Sequence, residues 1–231
     1  MAARRESADA RFALSELCEL YWPPIYSYAR RRGYSIEEAE DATQGFFTRF
    51  LEKRDVEDAD PSRGRFRSFL LSSFKHFLAN RYDQDRAKKR GGDYVLVSLD
   101  VKAAEAQYVA EPADTLTPDA LYEQQWARGV LARAHTALRA ELVKAGKTQL
   151  LGQIEDLLVG DKAERGVAEA ARSLGMSDGA LRVMIHRLRR RLLALLRLEI
   201  LATVSDESEA EDEIRYLIGV LATRRNSPAG S

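Results

Sequence analysis

The chain has very little cysteine and no long apolar run. Cys18 is the one cysteine in 231 residues, so no internal disulfide can form, and a reducing compartment is expected. The most apolar stretch, 192–204, is interrupted by Arg197 and Glu199 and is too short to span a bilayer. No N-terminal pattern of positive start, apolar run and small-residue cleavage site is present. These absences favour a cytoplasmic protein that does not bind a membrane.

Net charge is also absent, because 36 basic and 36 acidic residues cancel. The chain as a whole therefore has no electrostatic attraction to nucleic acid, and any attraction must come from local segregation of charge. Six arginines lie between Leu181 and Leu198 without a carboxylate among them. A second basic run comprises Arg86, Lys88, Lys89 and Arg90, and an acidic segment comprises Asp206, Glu207, Glu209, Glu211, Asp212 and Glu213.

Strand signals are scarce, with one short β-rich run at 94–99, and helical patterns dominate. The predicted fold is all-α, with two small helical domains joined by a flexible linker. We place an N-terminal domain at 9–92, a linker at 93–118, a C-terminal helix-turn-helix domain at 119–201 and an acidic extension at 202–231. The linker assignment depends on weak periodicity and two prolines.

The N-terminal domain is predicted to begin with a helix at 9–22, which Pro23 and Pro24 should bend or restart before a second helical piece ends at Gly33. Ser35, with Glu38 three residues later, forms a capping box that should open a helix reaching about residue 53. The side chains predicted to be buried on that helix are Ala39, Ala42, Phe46 and Phe50.

The segment from 167 to 192 has the pattern of a helix-turn-helix. A first helix should stop at Gly175, because glycine tolerates the left-handed conformation at a helix C-terminus. Ser177 can cap the second helix by accepting from N–H groups of its first turn. The residues predicted to face inward are Val167, Ala170, Ala171, Leu174, Leu181, Met184, Leu188 and Leu192.

The outward side of the second helix is a candidate DNA-contacting surface, since its first turns meet base edges in helix-turn-helix docking. The predicted DNA-binding residues there are Ser177, Asp178, Gly179, Arg182, Val183, His186, Arg187 and Arg190. Farther along, Arg189, Arg190, Arg191 and Arg197 are expected to meet phosphates. The alternative is an ordinary helical hairpin whose arginines form a solvated face.

Two stretches of the N-terminal domain carry a family resemblance. The stretch 39–49 resembles the core-polymerase-binding helix of extracytoplasmic-function (ECF) sigma factors of bacterial RNA polymerase. The matching residues are Ala39, Glu40, Asp41, Gln44, Phe47 and Arg49, whereas Gly45 stands where a glutamate is expected. Downstream, Phe66-Arg67-Ser68-Phe69-Leu70 is similar to the family's Phe-Arg-x-Trp-Leu. The stretch 186–192 likewise resembles the end of the family's promoter-recognising helix-turn-helix.

The resemblance implies two partners, bacterial core RNA polymerase and promoter DNA. It assigns polymerase docking to Glu40, Asp41, Gln44 and Phe47. It also implies that a basic group binds the upstream melted promoter element. This group comprises Arg86, Lys88, Lys89 and Arg90. The alternative for the acidic residues is that they favour the positive N-terminal end of their own helix.

Regulation has two candidate sites in the sequence. Together with Lys89-Arg90-Gly91-Gly92, the run Thr43-Gln44-Gly45-Phe46-Phe47 resembles a divergent ECF branch commonly encoded near Ser/Thr protein kinases. Phosphorylation of Thr43 would restore the negative charge missing at Gly45; the alternative is a helical threonine without that role. The acidic segment 206–213 could instead fold back on the arginines of the second helix, or could be an exposed first turn. An anti-sigma factor is a further candidate partner.

No cofactor, metal site or catalytic group is predicted. His76, His135 and His186 lie far apart in the sequence and without cysteine or paired carboxylate spacing. No pairing of a nucleophile with a base is evident, so we expect no enzymatic activity. The alternative function is a stand-alone helix-turn-helix regulator whose N-terminal domain senses a signal or dimerises.

Overall fold

The computed structural model describes residues 18–52, 65–85, 100–109, 116–159, 163–204 and 207–223. These residues form helices without any strand, which confirms the all-α prediction. No helix among them is long and apolar enough to cross a membrane. The helices are α1 (18–31), α2 (Ile36–Glu52), α3 (Phe66–Asp85), α4 (Val101–Val109), α5 (Pro118–Lys144), α6 (Thr148–Val159), α7 (Ala163–Ser173), α8 (Asp178–Leu201) and α9 (Glu207–Thr223).

The chain divides into two compact units. The N-terminal unit comprises Met1–Gly129, Thr203–Ser205 and Tyr216–Ser231, and the C-terminal unit comprises Val130–Ala202 and Asp206–Arg215. The division falls within α5 and within α9, so each unit includes a part of both helices. The domain boundaries expected from the sequence stay a prediction.

Helix α1 runs through Pro23 and Pro24 without a break, so the predicted restart is wrong. Proline removes a backbone donor, but its fixed φ of about −65° is compatible with a helix. The flanking residues Tyr21, Trp22 and Ile25 are buried, and such packing can outweigh a poor local propensity.

Aromatic rings build the core of the N-terminal unit. Phe46 of α2 lies 5.1 Å from Phe74 and 5.8 Å from Phe77 of α3, measured between ring centroids. Trp22 of α1 stacks on Phe47 with ring centroids 5.8 Å apart. Each such pair contributes about 0.5–1.5 kcal/mol beyond its buried area. The predicted inward stripe of Ala39, Ala42, Phe46 and Phe50 is buried, as expected.

The N-terminal part of α5 packs within the N-terminal unit through Arg67 of α3. This side chain is only 4% exposed and forms an ion pair with Glu123 of α5. Its guanidinium lies 5.0 Å from the ring centroid of Trp126 and 4.1 Å from that of Tyr216. The Tyr122 hydroxyl also donates to the Arg67 carbonyl oxygen at 2.8 Å. One buried cation thus connects α3 with α5 and α9.

The segment expected to be a linker contains a helix that sequence reasoning missed. Asp100 caps α4 by accepting from the Ala103 N–H at 3.0 Å. Glu105 of α4 then receives hydrogen bonds from the Tyr26 hydroxyl at 2.5 Å and from Arg30, at 3.0 Å for each of two guanidinium nitrogens. Hydrogen bonding to Arg30 holds the pKa of the Glu105 carboxyl below its usual range. Helix α4 is therefore held on α1 by a charge-assisted contact.

We expect Glu105→Gln to destabilise the N-terminal unit by about 1 kcal/mol at pH 7, because the pair with Arg30 is charge-assisted yet partly exposed. The pKa of Glu105 is lower in the folded chain. Its contribution is therefore present above the unfolded pKa of about 4.3 and is lost as pH falls through the folded pKa. Both tryptophans, Trp22 and Trp126, belong to this unit, so urea unfolding followed by tryptophan fluorescence measures the effect.

The matched control is Glu169→Gln, which removes an exposed carboxylate from α7 in the other unit. It should leave the tryptophan-detected transition unchanged at every pH. A destabilisation by Glu105→Gln that stays constant down to about pH 3 would contradict the role given to the charge.

Candidate nucleic-acid interface

The turn between α7 and α8 has the backbone geometry that the sequence predicts. Gly175 has φ +64°, and the next N–H, that of Met176, donates to the Ala171 carbonyl at 2.9 Å. Ser177 is extended, with φ −76° and ψ 151°, and its hydroxyl accepts from the Ala180 N–H at 3.2 Å. The glycine end of the first helix and the serine cap of the second are both confirmed.

Apolar residues hold the two helices together, with several corrections to the predicted stripe. Leu174, predicted to face inward, is only partly buried. Helices α6, α7 and α8 pack on one another, and Val167, Ala170 and Ala171 of α7 are buried. On α8, Leu181 and Leu192 are buried as predicted, but Ile185 is buried as well, whereas Met184 and Leu188 are only partly buried. The buried line advances by four residues from 181 to 185, because successive turns of an α-helix place i and i+4 on one face.

The first turns of α8 present a continuous exposed surface, which we call the α8 face. Its residues are all exposed to solvent: Asp178, Gly179, Arg182, Val183, His186 and Arg187. Ser177 is also exposed, although its hydroxyl is engaged in the cap, and Arg190 follows one turn later. Within the described part of the chain, no ion pair or side-chain hydrogen bond engages Arg182, Arg187 or Arg190.

Three other arginines of α8 differ from Arg182, Arg187 and Arg190, because their guanidinium groups already have partners within the chain. They are Arg189, Arg191 and, as described below, Arg197. Arg189 donates to the Leu157 carbonyl at 2.7 Å. Arg191 forms two hydrogen bonds with Glu141, at 2.9 and 2.5 Å. This pairing lowers the pKa of the Glu141 carboxyl and raises that of Arg191. Together with Arg197, these arginines were expected to meet phosphates, which stays a prediction; in this structure they form contacts within the C-terminal unit.

The acidic start of α9 pairs with Arg197 of α8. The guanidinium of Arg197 lies 3.1 Å from a carboxylate oxygen of Glu207 and 3.2 Å from one of Glu211. Arg197 is ten residues beyond Arg187, which is about 15 Å along the helix axis. The acidic segment does contact an arginine of α8, but these ion pairs do not involve the α8 face.

The acidic residues of α2 fall into two groups, those that cap the start of the helix and those that lie farther along it. The Glu38 carboxylate accepts from the Ser35 N–H at 2.9 Å, and the Ser35 hydroxyl accepts from the Glu38 N–H at 3.2 Å, which confirms the capping box. Hydrogen bonds to its own N–H and to Ser35 lower the pKa of Glu37. Asp41 lies one turn farther on, with 73% of its side chain exposed and Arg81 at 3.9 Å.

The other predicted docking residues are less accessible than Asp41. Glu40 and Gln44 are partly exposed, whereas Phe47 is fully buried against Trp22. In the folded unit, Phe47 can position α2 but offers no surface to a partner. A Cβ at Gly45 would lie 3.5 Å from the ring of Phe77, an ordinary contact, so packing does not require a glycine there.

Thr43 is fully buried, and its hydroxyl donates to the Ala39 carbonyl at 2.7 Å. A kinase could reach this hydroxyl only if α2 opened. The other predicted basic group, which comprises Arg86, Lys88, Lys89 and Arg90, lies outside the described residues.

Comparison with known proteins finds one similarity, which lies in the N-terminal helices. Residues 17–88 match the family model of sigma-70 region 2, a segment that includes α1, α2 and α3. The match covers less than a third of the 231 residues. It supports a sigma-factor role in promoter recognition by RNA polymerase, which is a role in transcription initiation and not an enzymatic one. No curated protein and no solved structure matches the chain.

We expect Ser177→Ala to destabilise the C-terminal unit by about 1 kcal/mol, because it removes the acceptor for the Ala180 N–H at the start of α8. Hydrogen exchange of the amides in the first turn of α8 measures the effect, and protection should fall there first. Ser173→Ala, an exposed serine at the end of α7, is the matched control and should change protection little. Equal effects of the two substitutions would contradict the capping role.

Proposed function

We propose that this chain is an ECF-type sigma factor that directs bacterial core RNA polymerase to specific promoters. The observation that carries the proposal is the match of residues 17–88 to sigma-70 region 2. The helix-turn-helix geometry of α7 and α8 gives separate support, because promoter selection requires an element that can enter the major groove.

In this proposal α2 docks on core polymerase through its exposed carboxylates. Glu37 and Glu38 serve the N-terminal end of the helix, which leaves Asp41 and the partly exposed Glu40 for a basic partner surface. Charge complementarity of this kind sets the association rate and the choice of partner more than it sets affinity. Gln44, one turn after Glu40, adds a hydrogen-bonding side chain to the same helix.

The α8 face supplies the proposed contact with duplex promoter DNA. Its cations lack intramolecular partners among the described residues, so binding to DNA would not first have to break ion pairs. Arg190 follows where a phosphate contact would add salt-dependent affinity. The basic group at 86–90 is proposed to hold the melted promoter strand. The protein would supply binding energy for promoter selection and opening, while the polymerase performs the chemistry.

The regulatory partner is proposed to be a Ser/Thr protein kinase or an anti-sigma factor. Burial of Thr43 is unfavourable to the kinase hypothesis at this residue, because a phosphate there would place charge among core side chains. An anti-sigma factor that covers Glu40 and Asp41 would need no opening of α2. The exposed carboxylates therefore favour regulation by occlusion over phosphorylation of Thr43.

We expect Asp41→Ala to weaken binding of the full chain to bacterial core RNA polymerase about threefold to tenfold, with a larger effect at low salt. The reason is the loss of an exposed carboxylate from the proposed docking helix. Biolayer interferometry at two ionic strengths measures the association rate and the affinity.

Asp212→Ala is the matched control for this experiment, since it removes an exposed aspartate from α9 and should leave polymerase binding unchanged. Equal affinities for wild type and both variants would contradict docking through α2. If the wild type binds no core polymerase but binds duplex DNA alone, the stand-alone regulator becomes the better description.

We expect Arg187→Ala to weaken binding of the holoenzyme to duplex promoter DNA roughly tenfold, because Arg187 belongs to the α8 face. The duplexes are selected by the wild-type holoenzyme from a random-sequence library, and binding is measured as a function of salt. If the lost contact is to a phosphate, the slope of log affinity against log salt should fall by about one.

Arg191→Ala is the matched control, since Glu141 already engages this guanidinium. We expect it to change DNA affinity less than about twofold. A larger effect of Arg191→Ala than of Arg187→Ala would place the DNA contact on a different side of α8.

A further inference from the structure

Val183 is the one large apolar side chain on the α8 face. It is 53% exposed, whereas Leu181 and Ile185 of the surrounding turns are buried, Met184 is partly buried, and the exposed Ala180 is small. Its neighbours on the exposed surface are Arg182 in the chain, and His186 and Arg187 one turn later. The surface therefore has two methyl groups in the middle of a cationic patch.

Neither helix propensity nor packing explains a valine at this position. Valine is a poorer helix former than alanine or the long straight-chain residues, because its branched Cβ restricts χ1 in a helix. Its exposure means that it adds little buried area to the C-terminal unit. A polar or straight-chain residue would serve the isolated fold at least as well.

The surroundings of Val183 do not resemble a protein-docking patch. Such patches are contiguous apolar areas of several hundred square ångströms, whereas here the exposed apolar surface is one valine and the small Ala180, beside Arg182 and Arg187. Cations without intramolecular partners indicate a polyanionic ligand. The remaining question is which apolar group a polyanion can present to two methyl groups.

Duplex DNA presents one such group in the major groove. The C5-methyl of thymine is the apolar feature among the base-edge donors and acceptors there. The stiff χ1 of a β-branched side chain favours this contact, since little rotamer freedom is lost on binding.

We propose that Val183 is a specificity-determining residue that recognises the C5-methyl of a promoter thymine. This inference rests on the proposed function, because it takes the α8 face to lie in the major groove. Val183 selects the base, while Arg182 and Arg187 bind neighbouring phosphates or guanine edges. Sequences selected by the protein should therefore contain at least one thymine whose methyl group, and not merely its base pairing, contributes to affinity.

The test is a double-mutant cycle between the protein and the DNA. Duplexes are selected from a random library by the holoenzyme, and each thymine of the selected site is replaced in turn by deoxyuridine, which lacks only the methyl group. For wild type, one replacement should weaken binding about fourfold, the effect of removing one buried methyl group. For Val183→Ala, the same replacement should have no effect.

Two further variants distinguish a methyl contact from a general disturbance of α8. Val183→Thr keeps one methyl group on Cβ and should retain most of the dependence on the thymine methyl. Leu193→Ala removes an exposed apolar residue from α8 outside the α8 face. This variant should retain the full dependence of binding on the thymine methyl. Val183→Ala should fold normally, since alanine is the better helix former at this exposed position.

Each outcome decides a different question. Sensitivity to deoxyuridine that persists unchanged in Val183→Ala, or that is absent at every thymine in wild type, would overturn the role of Val183 and leave the sigma-factor proposal intact. If the wild-type holoenzyme selects no duplex at all, the proposed function fails, and the assignment of Val183 fails with it. Loss of the sensitivity in Val183→Ala alone supports both.

Discussion

The buried guanidinium of Arg67 is the interaction on which the arrangement of the N-terminal unit depends. A cation that is 4% exposed needs a partner, because an unpaired buried charge costs several kcal/mol. Glu123 supplies the opposite charge from 56 residues away, and Trp126 and Tyr216 flank the planar group. The requirement to satisfy one arginine therefore recruits α5 and α9 to the helices that match sigma-70 region 2.

The arginines of α8 fall into two groups, according to whether the fold supplies partners for their guanidinium groups. One group has partners: a carbonyl of α6 for Arg189, Glu141 for Arg191, and α9 carboxylates for Arg197. The other group, which comprises Arg182, Arg187 and Arg190, is exposed without such partners among the described residues. Only the second group has its full hydrogen-bonding capacity available for a polyanion.

Short-range signals in the sequence predicted the local features of the candidate site correctly. The Ser35–Glu38 capping box, the turn at Gly175 and the cap at Ser177 each depend on residues within five positions of one another. The errors concern features that depend on distant residues. Helix α4 has weak periodicity of its own and is held through Glu105 by Arg30, which lies 75 residues earlier. Likewise, the helix through Pro23 and Pro24 is flanked by buried side chains.

The sequence by itself determined that the described parts of the chain are helical, where α2 and α8 begin, and which residues of α8 face outward. These properties follow from periodicity and capping, and both are encoded within a few residues. Only the tertiary structure decided that Phe47 and Thr43 are buried, and that Ile185 joins the core. It alone also decided which arginines are engaged by partners within the chain. The reason is that burial and ion pairing depend on which residues the fold brings together, and spacing along one helix does not contain that information.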